Sequence, residues 1–352
     1  MRVLQFFELE IELLSPAIVA SRITRSGYIR PLDYVPGSTL RGALLAALYR
    51  YGYVGADILK QEAREPSLLS SPAWPVAPLG DPGVGIAYRR SLPATPVTFK
   101  CKVCGKSILN LRDVAAGIAG PGELRLAAEC PDHGPAESPY SRPVFKYDSD
   151  VREFDHKVVH AVSVGINKLL GTAMKGMLFS YEAVAEGTRF WARLVAPNSI
   201  AERIPDQLRV AVGRGSSRGF GLSLVKVKRR EAPELSTTTY QVFVSLSPVT
   251  PLTRLSYWGC ELRVSRVLGR TMKVLGGWDM ALGRSRPFVE LVKPGAVVAA
   301  EVRCEDQERA RTFAALLSYG GIPVRLGDTW LTGVNVMVSV EEYERLLGES
   351  LG

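Results

Sequence analysis

The chain has 352 residues, 46% of them hydrophobic and 22% charged, and 44 Lys and Arg against 35 Asp and Glu give a formal net charge of +9. That length holds two domains with cores of their own, and the composition excludes a disordered chain. No apolar run reaches the ~20 residues of a bilayer helix and the N-terminus does not read as a signal peptide, so the expectation is a cytoplasmic protein whose positive balance favours an anionic partner, nucleic acid first.

Phe7, Leu9, Ile11 and Leu13 alternate with Glu8, Glu10 and Glu12. That period of two predicts a half-buried strand, ending at Ser15-Pro16. A basic connection with Arg22, Arg25 and Arg30 follows. Pro36-Gly37 then punctuates the chain, and Ser38 or Thr39 is placed to cap a helix with Leu40, Leu44, Leu48 and Tyr51 as its apolar stripe. The amides of Gly37, Ser38 and Thr39, beside Arg41, predict a phosphate site at that helix N-terminus. Gly42 costs ~1 kcal/mol against Ala inside a helix, which points to a backbone or ligand passing close by. A plainly packed helix accounts for the stripe itself.

Residues 64–99, with Pro72, Pro75, Pro78, Pro82, Pro93 and Pro96, read as an excursion from the core. Cys101-Lys-Val-Cys104 and Cys130-Pro-Asp-His133 come next, separated by the 25 residues 105–129. Cys-x2-Cys with Cys-x2-His is a tetrahedral zinc pattern, and Gly105 and Gly134 fit the knuckle turns. Three thiolates and one imidazole leave no open position, so the Zn2+ expected here is structural. A disulfide is the competing reading, disfavoured in a reducing compartment. The long loop leaves room for a small helix around Asn110–Ala116. Cys260 and Cys304 stand singly in apolar settings and read as core residues.

From His160 to Ile166 the alternation predicts a strand, followed by a loop with Lys168, Gly171, Lys175 and Gly176. Met177–Val184 and Arg189–Val195 read as a hairpin across Glu186-Gly187-Thr188, and a helix is expected around Asp206–Val212. Then come Gly213, Arg214, Gly215, Ser216, Ser217, Arg218, Gly219, Phe220 and Gly221. Four glycines in nine residues permit positive φ and close backbone approach, so several amides can converge on one anion. The arginines add planar donors that suit phosphate. A long turn with solvated arginines is the alternative.

Leu222–Val227 returns as a strand, and the polar residues 228–238 predict a linker. It separates a first domain, 1–230, with an insertion at about 64–143, from a second, 238–352. Tyr240–Pro248 echoes the first strand by closing on Ser-Pro, Val289–Ala300 echoes the hairpin at 181–195, and a helix (Gln307–Ser318) and a strand (Trp330–Val338) complete the unit. Tandem copies of one α+β fold are expected.

These motifs resemble the CRISPR-associated RAMP superfamily in their order and spacing. The residues that carry the resemblance are Ser15-Pro16, Tyr34-Val-Pro-Gly-Ser-Thr-Leu-Arg-Gly42, Leu178-Phe-Ser-Tyr-Glu182, Gly187-Thr-Arg-Phe190 and the glycine loop 213–221. Leu275-Gly-Gly-Trp-Asp279 and Lys293-Pro-Gly295 resemble the second domain of two-domain members. The resemblance implies tandem ferredoxin-like, RRM-like domains, here with a zinc-binding insertion in the first. It implies a non-catalytic subunit of a type III effector complex that grips the 5′ handle of the guide RNA, similar to the type III-D variant. Its implied partners are the large polymerase-like subunit and a RAMP backbone subunit.

The alternatives within the family are a 3′-end capping subunit, a backbone subunit, or an endoribonuclease. Backbone subunits cut target RNA with an aspartate after the first strand, where this chain offers Asp33, whose competing role is a turn. Guide-processing relatives use a histidine. His156 and His160 would share one face if helical, with phosphate binding or a structural role as the competing reading. Phe220 and Tyr34 are the aromatics placed to stack on bases.

Overall fold

The computed structural model describes residues 3–23, 29–79, 87–105, 107–109, 111–119, 128–148, 150–231, 240–275, 278–279, 283–285 and 288–351. Alternation at the N-terminus yields strand β1 (Leu4–Leu13), with Phe7, Leu9, Ile11 and Leu13 buried on one face. The first half continues with α1 (Gly37–Arg50), α2 (Ala56–Arg64), β2 (Trp74–Leu79), β3 (Ala87–Arg90) and α3 (Leu111–Ala119). After these come β4 (Val158–Ile166), β5 (Ala173–Val184), β6 (Arg189–Pro197), α4 (Asn198–Ala201), β7 (Gln207–Ala211) and β8 (Leu222–Arg230). The second half supplies β9 (Tyr240–Ser245), β10 (Cys260–Leu268), β11 (Val297–Cys304), α5 (Gln307–Tyr319), β12 (Met337–Ser339), α6 (Val340–Gly348) and β13 (Ser350–Leu351). The fold is mixed α/β, mostly strand. Among the described residues no helix is long and apolar enough to cross a membrane.

The first sheet runs β7-β8-β1-β6-β2-β3-β13, with Leu69–Ser70 also paired to β6. β1 lies antiparallel between β6 and β8. On one face Phe7, Leu9, Ile11 and Leu13 pack against Leu40, Leu44 and Leu48 of α1 and Ile200 of α4. The other face carries the glutamates of β1, each paired across the strands: Glu10 with Lys228 (2.6 Å), Glu12 with Arg189 (3.2 Å), Glu8 with Arg230 (2.8 Å) and Arg90 (3.1 Å). The same face is covered by α5, whose Ala315, Leu316 and Tyr319 meet Phe6, Leu69 and Val195. Beneath it lies Arg193, fully buried, 2.8 Å from Glu342 and within hydrogen-bond reach of the Ser318 carbonyl at 3.3 Å. Burial opposes the charge on Arg193, but Glu342, Tyr319 and Glu8 together outweigh it and the guanidinium pKa is raised.

The second sheet orders Arg254–Tyr257, β10, β11, β9, β12. Residues alternate between its two faces. Phe243, Val298, Ala300 and Met337 meet Phe313 and Leu317 of α5. Val244, Leu246, Val297, Ala299 and Val338 meet α3, α6, Trp74 and Trp191. Burial on both faces explains the unbroken apolar run Ala296–Ala300, which a one-sided strand would interrupt with polar residues. The halves also differ: α1 and α2 follow β1, whereas residues 246–259 after β9 form no helix.

Several expectations need correction. In place of a helix over Asp206–Val212 the chain forms strand β7 at Gln207–Ala211, because Leu208 and Val210 alternate into the core and pair with β8. β5 pairs with β4, not with β6; the chain crosses from one sheet to another at Glu186-Gly187-Thr188. Residues 69–79 are in the first sheet rather than an excursion, with Trp74 buried and its indole donating to the Leu246 carbonyl at 2.9 Å. Val289–Ala300 is no hairpin, since Phe288–Val292 pairs with Thr271–Leu275 and β11 with β9 and β10. Trp330–Val338 is split between Thr329–Leu331 and β12. Cys260 and Cys304, directly opposed on β10 and β11, form a disulfide instead of packing as thiols. Of the expected linker, 228–230 belong to strand β8, while 232–238, Gly276 and Gly277, Arg25, and the side chains of Arg22 and Arg30 lie outside the described residues.

Candidate nucleic-acid interface and metal centre

The loop between β7 and β8 is shaped by its glycines: Gly213, Gly215, Gly219 and Gly221 all have φ between +77° and +86°. A Cβ on Gly213 would sit 2.4 Å from the Ile18 carbonyl oxygen, and one on Gly221 would sit 2.0 Å from that of Val212. The loop is tied to the segment after β1, with the Arg214 amide donating to Ile18 (2.9 Å) and that of Gly221 to Pro16 (2.8 Å). A 3-10 turn, Ser216–Arg218, forms its tip, and the amides of Arg218 and Phe220 both donate to the Gly215 carbonyl. Most of the amides expected to cradle an anion are therefore engaged with protein carbonyls. What the loop presents outward is side chain: Arg214, Ser216, Ser217 and Arg218 are exposed.

Arg218 is oriented by β5. Its Nη1 donates to the Tyr181 hydroxyl at 2.7 Å, and its guanidinium lies 5.1 Å from the centre of that ring. Phe220 meets Tyr181 edge to face at 6.5 Å and packs half-buried against Ile18 and Phe179. The Ser163 hydroxyl is the main influence holding the Tyr181 phenol below its ordinary pKa, with Arg218 adding to it. Beside the loop β4 and β5 form a long hairpin. Its outer part exposes Val162, Ile166, Leu169, Leu170 and Leu178 together with Lys168 and Lys175. The Asn167 Oδ1 closes the hairpin tip by accepting from the amides of Leu169 (2.9 Å) and Leu170 (3.3 Å). Sequence reasoning missed this hairpin, although its signal was present in Asn167 and Gly171 between two alternating runs.

The N-terminus of α1 is differently placed. Gly37 is buried, and a Cβ there would lie 2.3 Å from the Ser70 carbonyl oxygen and 2.8 Å from Gly333 Cα. Gly333, with φ +70°, sits over the Ser38 amide. Pro36 is the N-cap, and its carbonyl accepts from the Thr39 and Leu40 amides, so neither Ser38 nor Thr39 caps the helix. Arg41 donates to the carbonyls of Leu68 (2.7 Å) and Glu62 (3.0 Å) and pairs with the buried Glu62 carboxylate at 2.7 Å. Gly37, Ser38, Thr39 and Arg41 thus form a joint, with Gly37 and Ser38 against the second half. Gly42 faces open space with nothing within 4 Å of its added Cβ, so no protein backbone explains it. Tyr34 is buried and stacks on Trp74 at 4.7 Å, leaving no face for a base.

His156 and His160 do not share a helical face: His156 precedes β4 in extended chain, and His160 lies on β4 opposite Glu182. Instead Asp33 lies near His156. Arg142 approaches Asp33 (3.9 Å) and pairs closely with Asp155. The half-buried His156 leaves Nδ1 without a hydrogen-bond partner among the described residues. Burial lowers its pKa, against the pull of Asp33 and Asp155.

Cys101, Cys104, Cys130 and His133 converge, with one ligand atom of each lying within 4.8 Å of the others. Cys104 Sγ is 3.7 Å from Cys130 Sγ, which is 3.6 Å from His133 Nδ1. A tetrahedron with metal–sulfur bonds of about 2.3 Å has edges of about 3.8 Å, so the four residues fit such an ion. Gly105 (φ +71°) and Gly134 (φ +81°) make the knuckle turns. The Cys104 amide, before other influences, holds the Cys101 thiol down to about 6, favouring the thiolate that a metal coordinates.

The RAMP superfamily model matches residues 10–225, and the chain belongs to the RAMP superfamily. Similar solved structures include a chain of a type III-B Cmr-beta complex bound to cognate target RNA and AMPPnP, 13% identical, covering 88% of each chain with a TM-score of 0.49. Oligomeric Cmr4 from Pyrococcus furiosus is 14% identical over 65% of this chain and all of its own, with a TM-score of 0.29. A chain titled Type IV-B CRISPR complex is 14% identical, covering 66% of this chain and 95% of its own, with a TM-score of 0.26. No curated protein matches.

Proposed function

We propose that the protein is a non-catalytic guide-RNA-binding subunit of a type III CRISPR effector complex, gripping the 5′ handle through the loop at 213–221. The observation that carries this reading is an exposed tip, with Arg214, Ser216, Ser217 and Arg218 facing outward, shaped by four positive-φ glycines. Supporting it, α5 overlies the second face of the first sheet, and both faces of the second sheet are covered. Base stacking on these two sheets is therefore disfavoured, and contact falls to the loops and edges. Phosphates and riboses are held without sequence readout.

Two ferredoxin-like units are part of the proposal. β8-β1-β6-β2 and β12-β9-β11-β10 both follow the fourth-first-third-second strand order, with residues 1–230 and 238–352 as the domains and Zn2+ in the Cys/His cluster. The large polymerase-like subunit and a RAMP backbone subunit are the proposed neighbours, in the cytoplasm. Crosslinking in the native assembly tests the reading: guide RNA joined to the 213–221 loop supports it, and a guide that never contacts this chain refutes it.

A second reading, an endoribonuclease, is favoured by one observation, the unpartnered His156 Nδ1 near Asp33. Incubating repeat RNA in EDTA with wild type and with Asp33→Ala/His156→Ala decides it. Cleavage lost in the double variant selects the enzyme; no cleavage by either protein leaves the binding role.

A further inference from the structure

The cysteine–histidine cluster and the second sheet are joined by one short helix. Helix α3 lies inside the loop that a metal at Cys101, Cys104, Cys130 and His133 would close. Its Leu111, Val114 and Ile118 are 0%, 4% and 2% exposed and pack with Val244, Leu246, Val297 and Ala299. This is the face of the second sheet opposite α5. We propose that the metal acts as a clamp: it seats α3 on that face and so locks the insertion between the two halves. The inference rests on the metal reading above.

Three features support it. First, α3 has nine residues, and a helix that short is marginal in water by itself. Its order must come from packing and from the fixing of its ends. Second, the loop ends are fixed beside the cluster: Lys100 bridges Glu137, and Glu129–Cys130 pairs with Gly134–Pro135. Closing a loop of 25 residues by coordination makes binding energy into folding energy for whatever the loop contains. Third, the strand that enters α3, Ser107–Leu109, pairs with Thr98–Lys100, the residues leading into Cys101, whereas the polar tie of α3 to α6 is weak. Its Arg112–Glu344 pair has an arginine side chain 74% exposed, and such pairs contribute little. The core beneath α1, which holds the apolar face of β1, shares no residue with α3, so the clamp should leave β1 untouched.

The test uses the full chain, before and after stripping with a chelator, with elemental analysis and peptide-resolved hydrogen exchange. Stripping is expected to speed exchange at Tyr240–Ser245 and Val297–Cys304 by about tenfold or more, while Leu4–Leu13 keeps its protection. A Val114→Asp variant retains all four ligands; it is expected to keep its metal yet loosen the same two strands. Freshly purified protein without metal would overturn the metal reading itself. Metal that can be removed with no change at β9 and β11 would overturn the clamp alone, as would loosening that spreads equally to β1. Normal protection in Val114→Asp would show that α3 does not hold the sheet.

Discussion

Two glycine-, serine- and arginine-bearing runs, 37–42 and 213–221, look alike in composition and end in opposite roles. In the first, Gly37 is there because a neighbouring backbone fills the space of its Cβ, and Arg41 is consumed by the buried Glu62. In the second, Gly213 and Gly221 are pinned in the same way, but Arg214, Ser216, Ser217 and Arg218 between them face outward. The difference lies in what packs on each run, and that is set by residues far along the chain: Ser70 and Gly333 for one, Ile18 and Tyr181 for the other. Arg41 is tied to a buried carboxylate, whereas Arg214 and Arg218 stay exposed, Arg218 steadied by the neutral Tyr181 hydroxyl, so their charge is open to an anion.

Substitutions that should spare one run and damage the other sharpen the contrast. Arg41→Ala leaves the buried Glu62 carboxylate without its cation, held only by the Ser67 and Leu68 amides and the Ser67 hydroxyl, and a loss of about 3 kcal/mol is expected in urea unfolding; RNA affinity per folded molecule should not change. Gly37→Ala overpacks the joint and should cost about 1–3 kcal/mol, read as a lower unfolding midpoint. Gly219 has open space but φ +86°, so Gly219→Ala should cost about 1–2 kcal/mol through backbone conformation alone, with weaker RNA binding as the tip distorts. Arg214→Ala/Arg218→Ala should move stability by no more than about 0.5 kcal/mol. If the last variant unfolds the protein, or Arg41→Ala abolishes RNA binding while folded, the contrast is lost.

What could be read from the sequence was local. The period of two made β1, the stripe at helical spacing made α1, Gln307–Ser318 fell within α5, and the Cys-x2-Cys and Cys-x2-His spacing found four residues that do converge. What could not be read depends on partners distant in sequence. Glu62 is 21 residues from Arg41, and Cys304 is 44 from Cys260. The turn residues at 186–188 suggest a hairpin equally well whether the chain reverses beside its predecessor or passes to another sheet. Over Asp206–Val212 the helix expected from the sequence gives way to the Leu208-Val210-Val212 alternation, which the sheet obeys. Tyr34 and Trp74 carry no local sign that each will cover the other.

The claim that the 213–221 loop is the gripping surface is tested most directly by the salt dependence of binding. A labelled CRISPR-repeat RNA would be titrated with wild type and with Arg214→Ala/Arg218→Ala over a range of salt concentrations. Each phosphate contact on a single strand contributes about 0.7 to the slope of log affinity against log salt, so two lost contacts should flatten that slope by about 1.4 and weaken binding throughout the range. An unchanged slope and affinity in a correctly folded double variant would contradict the account.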